Sequence, residues 1–177
     1  MVIGLHTLGE VFETQFWSAS GRPFRGVMMP IQDSEVPSYD FSEPRTLMRV
    51  RADCPMGVGH VIMDDLDRRW LLATQDATRD WITFKLFPLN AEVRWEREER
   101  RRDLLTNRPM AEGRICLEHL WVLREQGGRE RTDGVIRVAE QTHRIITGAP
   151  LQLGDFIDNV QVKRVDSVLG VWLAEVQ

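Results

Sequence analysis

The side chains best suited to chemistry in this sequence are its histidines, His6, His60, His119 and His143. None of them has the HExxH or HxH spacing with which zinc is commonly bound. His60 precedes Asp64 and Asp65, and this is the one local group in which an imidazole and a carboxylate could exchange a proton. A hydrogen-bonded histidine at a strand end is the more common arrangement. A small enzyme that uses His60 with Asp64 or Asp65 therefore stands as the least favoured of three functional hypotheses.

The other motif searches predict no active site. The chain has no GxSxG, no P-loop and no GxGxxG, and GVGH at residues 57–60 has the wrong glycine spacing. The aspartates of MDDLD, namely Asp64, Asp65 and Asp67, resemble a calcium loop in composition only, because the spaced ligands and the terminal glutamate are missing. We interpret them as turn residues. The sequence thus predicts no catalytic residue, no cofactor and no metal site.

The cysteines and the hydropathy profile indicate a protein that works outside membranes. Cys54 and Cys116 lie outside any CxxC or CxxH pattern and predict reduced thiols of an intracellular product. The start MVIGLHTLGEVFETQFW lacks the basic and apolar regions of a signal peptide. No later stretch reaches the roughly 18 apolar residues of a membrane-spanning helix.

The charge balance argues against a protein whose main function is to grip nucleic acid. The formal net charge is −4, whereas affinity for phosphates comes largely from clustered lysine and arginine. A local basic stripe remains open. Lys85 and Lys163 are the only lysines, and the excess of arginine fits either bidentate pairing across interfaces or the base composition of a GC-rich genome.

Six tryptophans could serve either packing or stacking on a ligand: Trp17, Trp70, Trp81, Trp95, Trp121 and Trp172. Platforms that bind sugars or bases expose such rings. Here most of the tryptophans lie in alternating segments beside other apolar residues. This pattern favours core packing or burial in a subunit interface.

The elements that must position these residues are predicted to be strands. Short alternating segments such as WITFKLF and AEVRWE, punctuated by turns every 8 to 12 residues, are typical of a β-sandwich or barrel. Residues 1–45 are rich in proline and glycine and predict an extended N-terminal arm or long loop. Residues 46–103 then form a first β unit and residues 104–177 a second one that closes the barrel, or 46–177 form a single domain. The predicted fold class is all-β or β-dominated, with one or two small antiparallel barrels or sandwiches.

Two further segments, one in each half of the chain, are predicted to interrupt the strands. The charged run EREERRRD at residues 96–103 is typical of a solvated hairpin tip or one short helix. Gly127 and Gly128 predict a turn region.

Residues 59–84 and 154–176 resemble each other. Each begins with a glycine, continues with an apolar pair and an aspartate, and ends with a turn and a strand that a tryptophan introduces. Gly59 lies before Val61 and Ile62, as Gly154 lies before Phe156 and Ile157. Either the chain contains a duplicated strand-turn-strand unit, or both segments show the generic pattern of β-hairpins.

The C-terminal unit, with LQLGDFI, NVQVKRV and GVWLAEV, resembles the ending of small phage head-tail connector proteins, a group that includes head-closure or stopper proteins. In the first half, FKLFPLNAEVRWER and DLLTNRP are similar to minor neck and tail proteins of long-tailed phages. The likeness covers residues 46–177 and is one of pattern. It brings no catalytic residue with it.

The resemblance implies a structural virion protein that forms a ring in the neck or tail and joins the portal to the tail. Its partners would be further copies of itself, the neighbouring portal or adaptor protein, and the tail-tube or sheath protein. Double-stranded DNA would pass without specific binding, which suits an acidic chain. The location would be the virion, or the host cytoplasm during assembly. The alternative is a monomeric β-barrel module that binds a peptide or sugar through tryptophans.

Overall fold

The computed structural model describes residues 13–31, 44, 46–102, 109–133 and 136–177, and only the backbone at residues 99–102, 109–112, 126–133 and 136–142. The described residues form β-strands without a helix, which confirms the predicted all-β class. Two compact units are present. The first comprises Met1–Leu89 and Val168–Val171, and the second comprises Asn90–Ser167 and Trp172–Gln177.

The described residues form twelve strands. In the first half they are β1 (Thr14–Ser18), β2 (Pro23–Pro30), β3 (Thr46–Arg51), β4 (Val61–Met63), β5 (Arg69–Ala77) and β6 (Trp81–Leu89). In the second half they are β7 (Ala91–Arg102), β8 (Pro109–Asp133), β9 (Ile136–Thr147), β10 (Phe156–Ile157), β11 (Val160–Val168) and β12 (Val171–Val176).

The first unit contains a closed antiparallel barrel with the strand order β1-β2-β3-β6-β5-β4. Pairing of β1 with β4, for example Ser18 opposite Ile62, closes the ring. Alternation directs one side of each strand inward: in β3, Met48 and Val50 are buried while Arg49 and Arg51 are exposed. The core contains Phe16, Met48, Val50, Ile62, Trp70, Leu72, Phe84 and Leu86.

The second unit contains another closed barrel, with the order β10-β11-β12-β9-β8-β7. Here β10 closes the ring by pairing with β7, and Ile157 lies opposite Trp95. The core contains Val93, Trp95, Leu120, Val122, Ile145, Leu151, Ile157, Val162, Ala174 and Val176.

The two barrels have the same strand order. When the strands of each barrel are numbered from its own first strand, both rings run one, two, three, six, five, four. Each is therefore two three-stranded meanders joined along both edges. The resemblance between residues 59–84 and 154–176 corresponds to the second meander of each barrel, which is β4-β5-β6 in one and β10-β11-β12 in the other.

The match extends to the turn before the fourth strand of each barrel. Gly59 and Gly154 both have a φ of 87°, a conformation that glycine adopts at little cost. The Gly59 N–H donates to Leu72 O and the Leu72 N–H donates to His60 O, at 2.7 and 2.9 Å. Correspondingly, the Gly154 N–H donates to Val162 O and the Val162 N–H donates to Asp155 O, at 3.0 and 2.7 Å. His60 and Asp155 thus occupy equivalent positions.

The structure corrects the predicted N-terminal arm of residues 1–45. Residues 14–18 and 23–30 within it are β1 and β2 of the first barrel; residues 1–12, 32–43 and 45 lie outside the described part of the chain. Pro23 and Pro30 occupy the two ends of β2, where the missing N–H is tolerated. Gly26 lies inside the strand because a Cβ there would be 3.0 Å from Val50 Cγ1. The high content of proline and glycine led to the wrong prediction of a loop, because these residues occupy positions in β2 that a strand tolerates.

The boundary between the units also differs from the predicted one at 103/104, since it falls between Leu89 and Asn90. The charged run of residues 96–103 was expected to be a tip or a short helix, but β7 continues through it to Arg102 and pairs with β8. Gly127 and Gly128 were expected in a turn, but they lie inside β8. Charge and glycine content did not end these strands because each has a partner strand to pair with.

Long two-stranded ribbons are the main difference between the second unit and the first. β8 has 25 residues. Its N-terminal part pairs with β7, with Arg102 opposite Pro109 at the far end, and its C-terminal part pairs with β9, with Asp133 opposite Ile136. Among the described strands, β10 reaches β7 only at residues 95–96 and β12 reaches β9 only at 143–147. The remainder of each hairpin is therefore a ribbon of two strands.

Candidate functional site

His60 lies in the turn that leads into β4, where its side chain has a structural contact. Its Nδ1 accepts a hydrogen bond from the Gly57 N–H at 3.2 Å. At the equivalent position of the second barrel, Asp155 Oδ2 accepts from the Gln152 N–H at 2.9 Å. The same turn is thus capped by an imidazole in one unit and by a carboxylate in the other, and His60 itself is exposed.

Asp64, the proposed partner of His60, is buried in a different arrangement at the other end of β4. Its Oδ1 accepts from the backbone N–H groups of Leu66 and Arg68, at 3.0 and 2.9 Å. Its Oδ2 accepts from Arg68 Nε at 2.7 Å and from the Trp70 indole at 3.0 Å. Both oxygens are therefore engaged within the β4–β5 turn and the start of β5. This geometry does not bring Asp64 and His60 together as an acid–imidazole pair.

Asp155 forms a similar cluster in the second unit with residues that are distant in sequence, although its place in the barrel is that of His60 and not that of Asp64. Oδ2 accepts from the Trp95 indole at 2.9 Å, and the Arg97 guanidinium bridges both oxygens at 2.7 and 2.9 Å. Arg97 also lies over the Trp95 ring, 5.4 Å from its centroid, as Arg68 lies 5.6 Å from that of Trp70. Each barrel therefore contains one buried aspartate held by an arginine and by a tryptophan that the arginine covers.

The pKa shifts of these carboxyls follow from the clusters. Burial raises the pKa of Asp64, but the hydrogen bonds from Trp70 and Arg68 outweigh burial and leave it below the ordinary value. Asp155 shows the same balance, with burial opposed by Arg97, the Gln152 N–H and Trp95, and its pKa is also lowered. Both groups are carboxylates near neutral pH with their lone pairs in use. They are suited to fixing a turn and a strand, and poorly suited to accepting a proton from a substrate.

The remaining polar candidates form no metal centre within the described residues. No group of three or more histidine, cysteine, aspartate or glutamate side chains is arranged to hold an ion there. His119 and His143 lie on β8 and β9, while His6 falls outside the described part of the chain. Both cysteines are free in the structure, with Cys54 half-buried and Cys116 exposed. No helix in the described part could span a membrane.

The tryptophans do not form an exposed platform. Trp70 and Trp95 are core residues, and Trp17, Trp81, Trp121 and Trp172 are half-buried. One face of Trp81 is covered by Arg51, whose guanidinium lies 4.5 Å from the ring centroid. A sugar or a base would need an uncovered ring face. The packing interpretation of these residues is therefore the better one.

A groove of about 340 Å³ lies at one end of the first barrel. Phe24 and Met56 form apolar parts of its lining, and Arg22, Arg25 and Arg51 are its basic residues. Glu13 and Asp53 also line it, and Arg51 Nε lies 3.8 Å from Glu13 Oε1. This mixture of opposed charges does not select a ligand of one sign.

Comparison with known proteins gives no relative. No family model matches the chain, and neither a curated protein nor a solved structure matches it. The geometry of the chain itself is therefore the main guide to its function. Within the described residues, the pair of ribbons that β8 forms has no evident role inside the barrel.

Sequence reasoning missed both aspartate clusters and the ribbons. Asp64 was interpreted only as a turn residue, and Asp155 was not singled out. A tryptophan six residues after an aspartate in a tight turn is a signal that could have found the first cluster. For the second, Trp95 and Asp155 are 60 residues apart, and only the pairing of β7 with β10 brings them together.

Proposed function

We propose that this protein is a non-catalytic assembly subunit of a tailed phage, a ring-forming component of the neck or tail that joins the portal to the tail around the DNA channel. The observation that carries the proposal is β8, which serves one barrel and also two ribbons that extend from it. The pattern resemblance of residues 46–177 to head-tail connector proteins supplies the biological setting.

The β7–β8 ribbon supports an assembly role because the described side chains of its β8 strand bury little within the chain. Isolated two-stranded hairpins are marginally stable in water, and they gain stability when a further strand or a packed face covers them. Residues 113–119 of β8 are all exposed, and β7 is the one described strand that pairs with them. Exposed strand edges are usually blunted in proteins that remain monomeric. A neighbouring subunit would supply the missing contacts.

The charges support a ring around DNA more than a DNA-binding protein. The chain has 27 acidic and 23 basic residues, so its net field repels phosphate. Several arginines are engaged in structural pairs, including Arg97 with Asp155 and Arg68 with Asp64. A channel wall of this composition would let DNA pass without retaining it.

The first test is the mass of the particle that the purified chain forms, alone and after mixing with portal and tail-tube proteins from the same genome. We expect native mass spectrometry to give a homo-oligomer with a fixed copy number, and electron microscopy to show rings. A particle that stays monomeric at every concentration and with both partner proteins would overturn the proposal.

A variant with a shortened ribbon provides the matched comparison. Replacing residues 128–141 with Asn-Gly joins Gly127 to Thr142, which lie opposite each other, through a two-residue turn that suits a hairpin. The barrel residues of β8 and β9 remain. We expect unchanged tryptophan fluorescence and loss of the ring. A ring that forms as well without this ribbon would remove it as an assembly element.

A further inference from the structure

The charged residues of β2, β3 and β6 in the first barrel are all positive. These three adjacent strands contain no acidic residue and four basic ones, which are Arg25, Arg49, Arg51 and Lys85. In the second barrel, each strand that has a basic residue also has an acidic one. The outer side of β2, β3 and β6 is called the basic face. Its charge is opposite in sign to the net charge of −4 of the whole chain.

Strand alternation directs these basic side chains away from the core. Residues next to them in sequence pack inside the barrel, and these residues are Phe24, Met48, Val50, Phe84 and Leu86. Successive side chains of a strand point to opposite sides of the sheet. Arg25, Arg49 and Arg51 are exposed, and Lys85 is half-buried. All four cations therefore lie on the outer side of the sheet.

The register of the sheet brings the four cations close to one another. Arg25 and Arg51 lie at the same end of the β2–β3 pairing, one residue beyond its last matched pair. Arg49 is two residues from Arg51 along β3, roughly 6.6 Å at the rise of a strand. Lys85 is a diagonal neighbour of Arg49 on β6, roughly 7–8 Å away. Like charges at these distances repel each other, and a bound anion would relieve the repulsion.

Trp81 supports the guanidinium groups of two of these arginines. The Arg51 guanidinium lies 4.5 Å from the ring centroid of Trp81, and the Arg49 guanidinium lies 5.9 Å from it. Arginine combines stacking on an aromatic ring with a planar set of N–H donors that matches the geometry of a phosphate. The stack therefore holds positive charge at the surface in a form that phosphate oxygens can approach.

Carboxylates lie at the borders of the basic face. They belong to Glu13, Asp53, Asp76 and Asp80. Glu13 Oε1 lies 3.8 Å from Arg51 Nε, so Arg51 is already paired. Within the described part of the chain, the other three cations of the face form no ion pair. Arg25, Arg49 and Lys85 are therefore the cations most available to a ligand.

We propose that the basic face binds the phosphate backbone of duplex DNA without reading its sequence. Duplex DNA carries one negative charge per roughly 1.7 Å of its axis, and clustered cations beside an aromatic ring are typical of surfaces that contact it. Contacts to phosphate carry no sequence information. The inference does not rest on the proposed ring, because the face is complete within one chain.

The contact should be weak and sensitive to salt. Each phosphate that a cation neutralises contributes about −0.9 to the slope of log K against log salt concentration, so four contacts give a slope of about −3.6. Between about 50 and 200 mM NaCl, the affinity should then fall roughly 100-fold. Contact of this kind is compatible with DNA that moves past the protein without being retained.

Fluorescence anisotropy of a short labelled duplex of random sequence measures this contact at several salt concentrations. In R25Q/R49Q we expect the affinity at about 50 mM NaCl to fall roughly tenfold or more, and the slope to shrink by about 1.8. The control K163Q/R164Q removes two exposed positive charges from β11 and should bind nearly as well as the wild type. Equal binding by the wild type and R25Q/R49Q, or an equal loss in the control, would overturn the inference.

Two further variants separate charge from folding. R25K/R49K keeps both charges and should keep most of the affinity, because a lysine also binds phosphate as a point charge. K85Q changes a different strand of the same face and should shrink the slope by about 0.9, with an unchanged urea midpoint. A slope that stays at the wild-type value in K85Q would exclude Lys85 from the contact, and loss of binding in R25K/R49K would show that charge is not what binds.

Competition identifies the class of partner. Unlabelled duplex should displace the labelled one, whereas poly-L-glutamate at the same concentration of charge should be roughly tenfold less effective, because its charges are spaced about 3.3 Å apart along an extended chain. Equal displacement by poly-L-glutamate would assign the face to an acidic polypeptide and overturn the assignment to DNA.

The basic face and the ring can fail separately. A normal ring from a chain that does not bind DNA would remove the face and keep the ring. Salt-dependent binding that R25Q/R49Q loses, by a chain that stays monomeric even with portal and tube proteins, would keep the face and remove the ring.

Discussion

Replacing Asp64 with asparagine should destabilise the first barrel, because one oxygen must then serve donors that two oxygens serve now. Asparagine can accept from the Leu66 and Arg68 N–H groups, but its NH₂ then faces Arg68 Nε and the Trp70 indole. If the amide is flipped, its oxygen accepts from Arg68 Nε and the Trp70 indole, but its NH₂ then faces the backbone N–H groups of Leu66 and Arg68. In either orientation, two donors lose their acceptor.

The magnitude follows from how each donor is placed. The Arg68 side chain is 57% exposed, so water can replace its bond to Asp64, which is 2% exposed. Trp70 is 9% exposed, and its indole N–H is left without an acceptor. An unmet buried donor costs roughly 1–3 kcal/mol, and a lost charge-assisted bond adds to that, so we expect D64N to lower the free energy of unfolding by about 2–4 kcal/mol.

The assay is urea unfolding followed by tryptophan fluorescence, fitted with two transitions because the chain has two units. Asp65→Asn is the matched control, since Asp65 is the exposed neighbour in the same turn and should change stability by less than about 0.5 kcal/mol. If D64N and D65N unfold at the same urea concentration, Asp64 does not hold the turn in the way described.

The pH dependence gives the same test in another form. The pKa of Asp64 is lower in the folded chain than in the unfolded one. Its contribution is therefore complete above the unfolded-state pKa, about 3.9, and is lost as the pH falls through the folded-state pKa. The stability difference between the wild type and D64N should be largest near neutral pH and shrink in acid. A difference that grows in acid would reverse the sign of the argument.

Three further outcomes can be measured on the same chain. Asp155→Asn should lower the stability of the second unit by a similar amount, about 2–4 kcal/mol, while Asp158→Asn at an exposed site costs less by the same unfolding assay. Gly170→Ala should lower the melting temperature in calorimetry, because the new Cβ would lie 2.8 Å from a Val58 methyl group at a φ of +80°; an unchanged value would contradict this packing. Burial raises the pKa of the Cys54 thiol, so iodoacetamide at neutral pH should label exposed Cys116 several-fold faster by mass spectrometry, and the reverse order would refute the burial argument.

The fold was largely predictable because its signals are local. The alternation of WITFKLF places Phe84 and Leu86 in the core, and the echo between residues 59–84 and 154–176 corresponds to equivalent meanders. These features depend on a period of two and on turn residues, which a sequence displays directly. β1 and β2 were missed because the composition of this region indicates a loop. Its prolines lie at the ends of β2, and Gly26 lies where β2 packs closely against Val50.

The site features were less predictable because they depend on partners distant in sequence. Nothing near Asp155 indicates that Trp95 and Arg97 will reach it; the closure of the barrel by β10 and β7 decides that. The charged run that follows Trp95 predicted side chains exposed to solvent. Glu96 in this run is only 5% exposed, and its Oε1 lies 2.7 Å from Arg94 Nη2. Burial of charge requires a partner, and the partner is known only once the strands are paired.

The continuity of β8 has a mechanical consequence. At about 3.3 Å per residue, the backbone of its 25 residues measures roughly 80 Å along the strand. This continuous backbone is part of the barrel and of both ribbons. A pull along one ribbon would travel through the backbone of this strand to the other ribbon without crossing a loop. The hydrogen bonds to β7 and β9 would then be loaded together in shear, a geometry that resists force better than opening them one at a time. Under such a load, the second unit would act as a tension element held at its middle by a packed barrel.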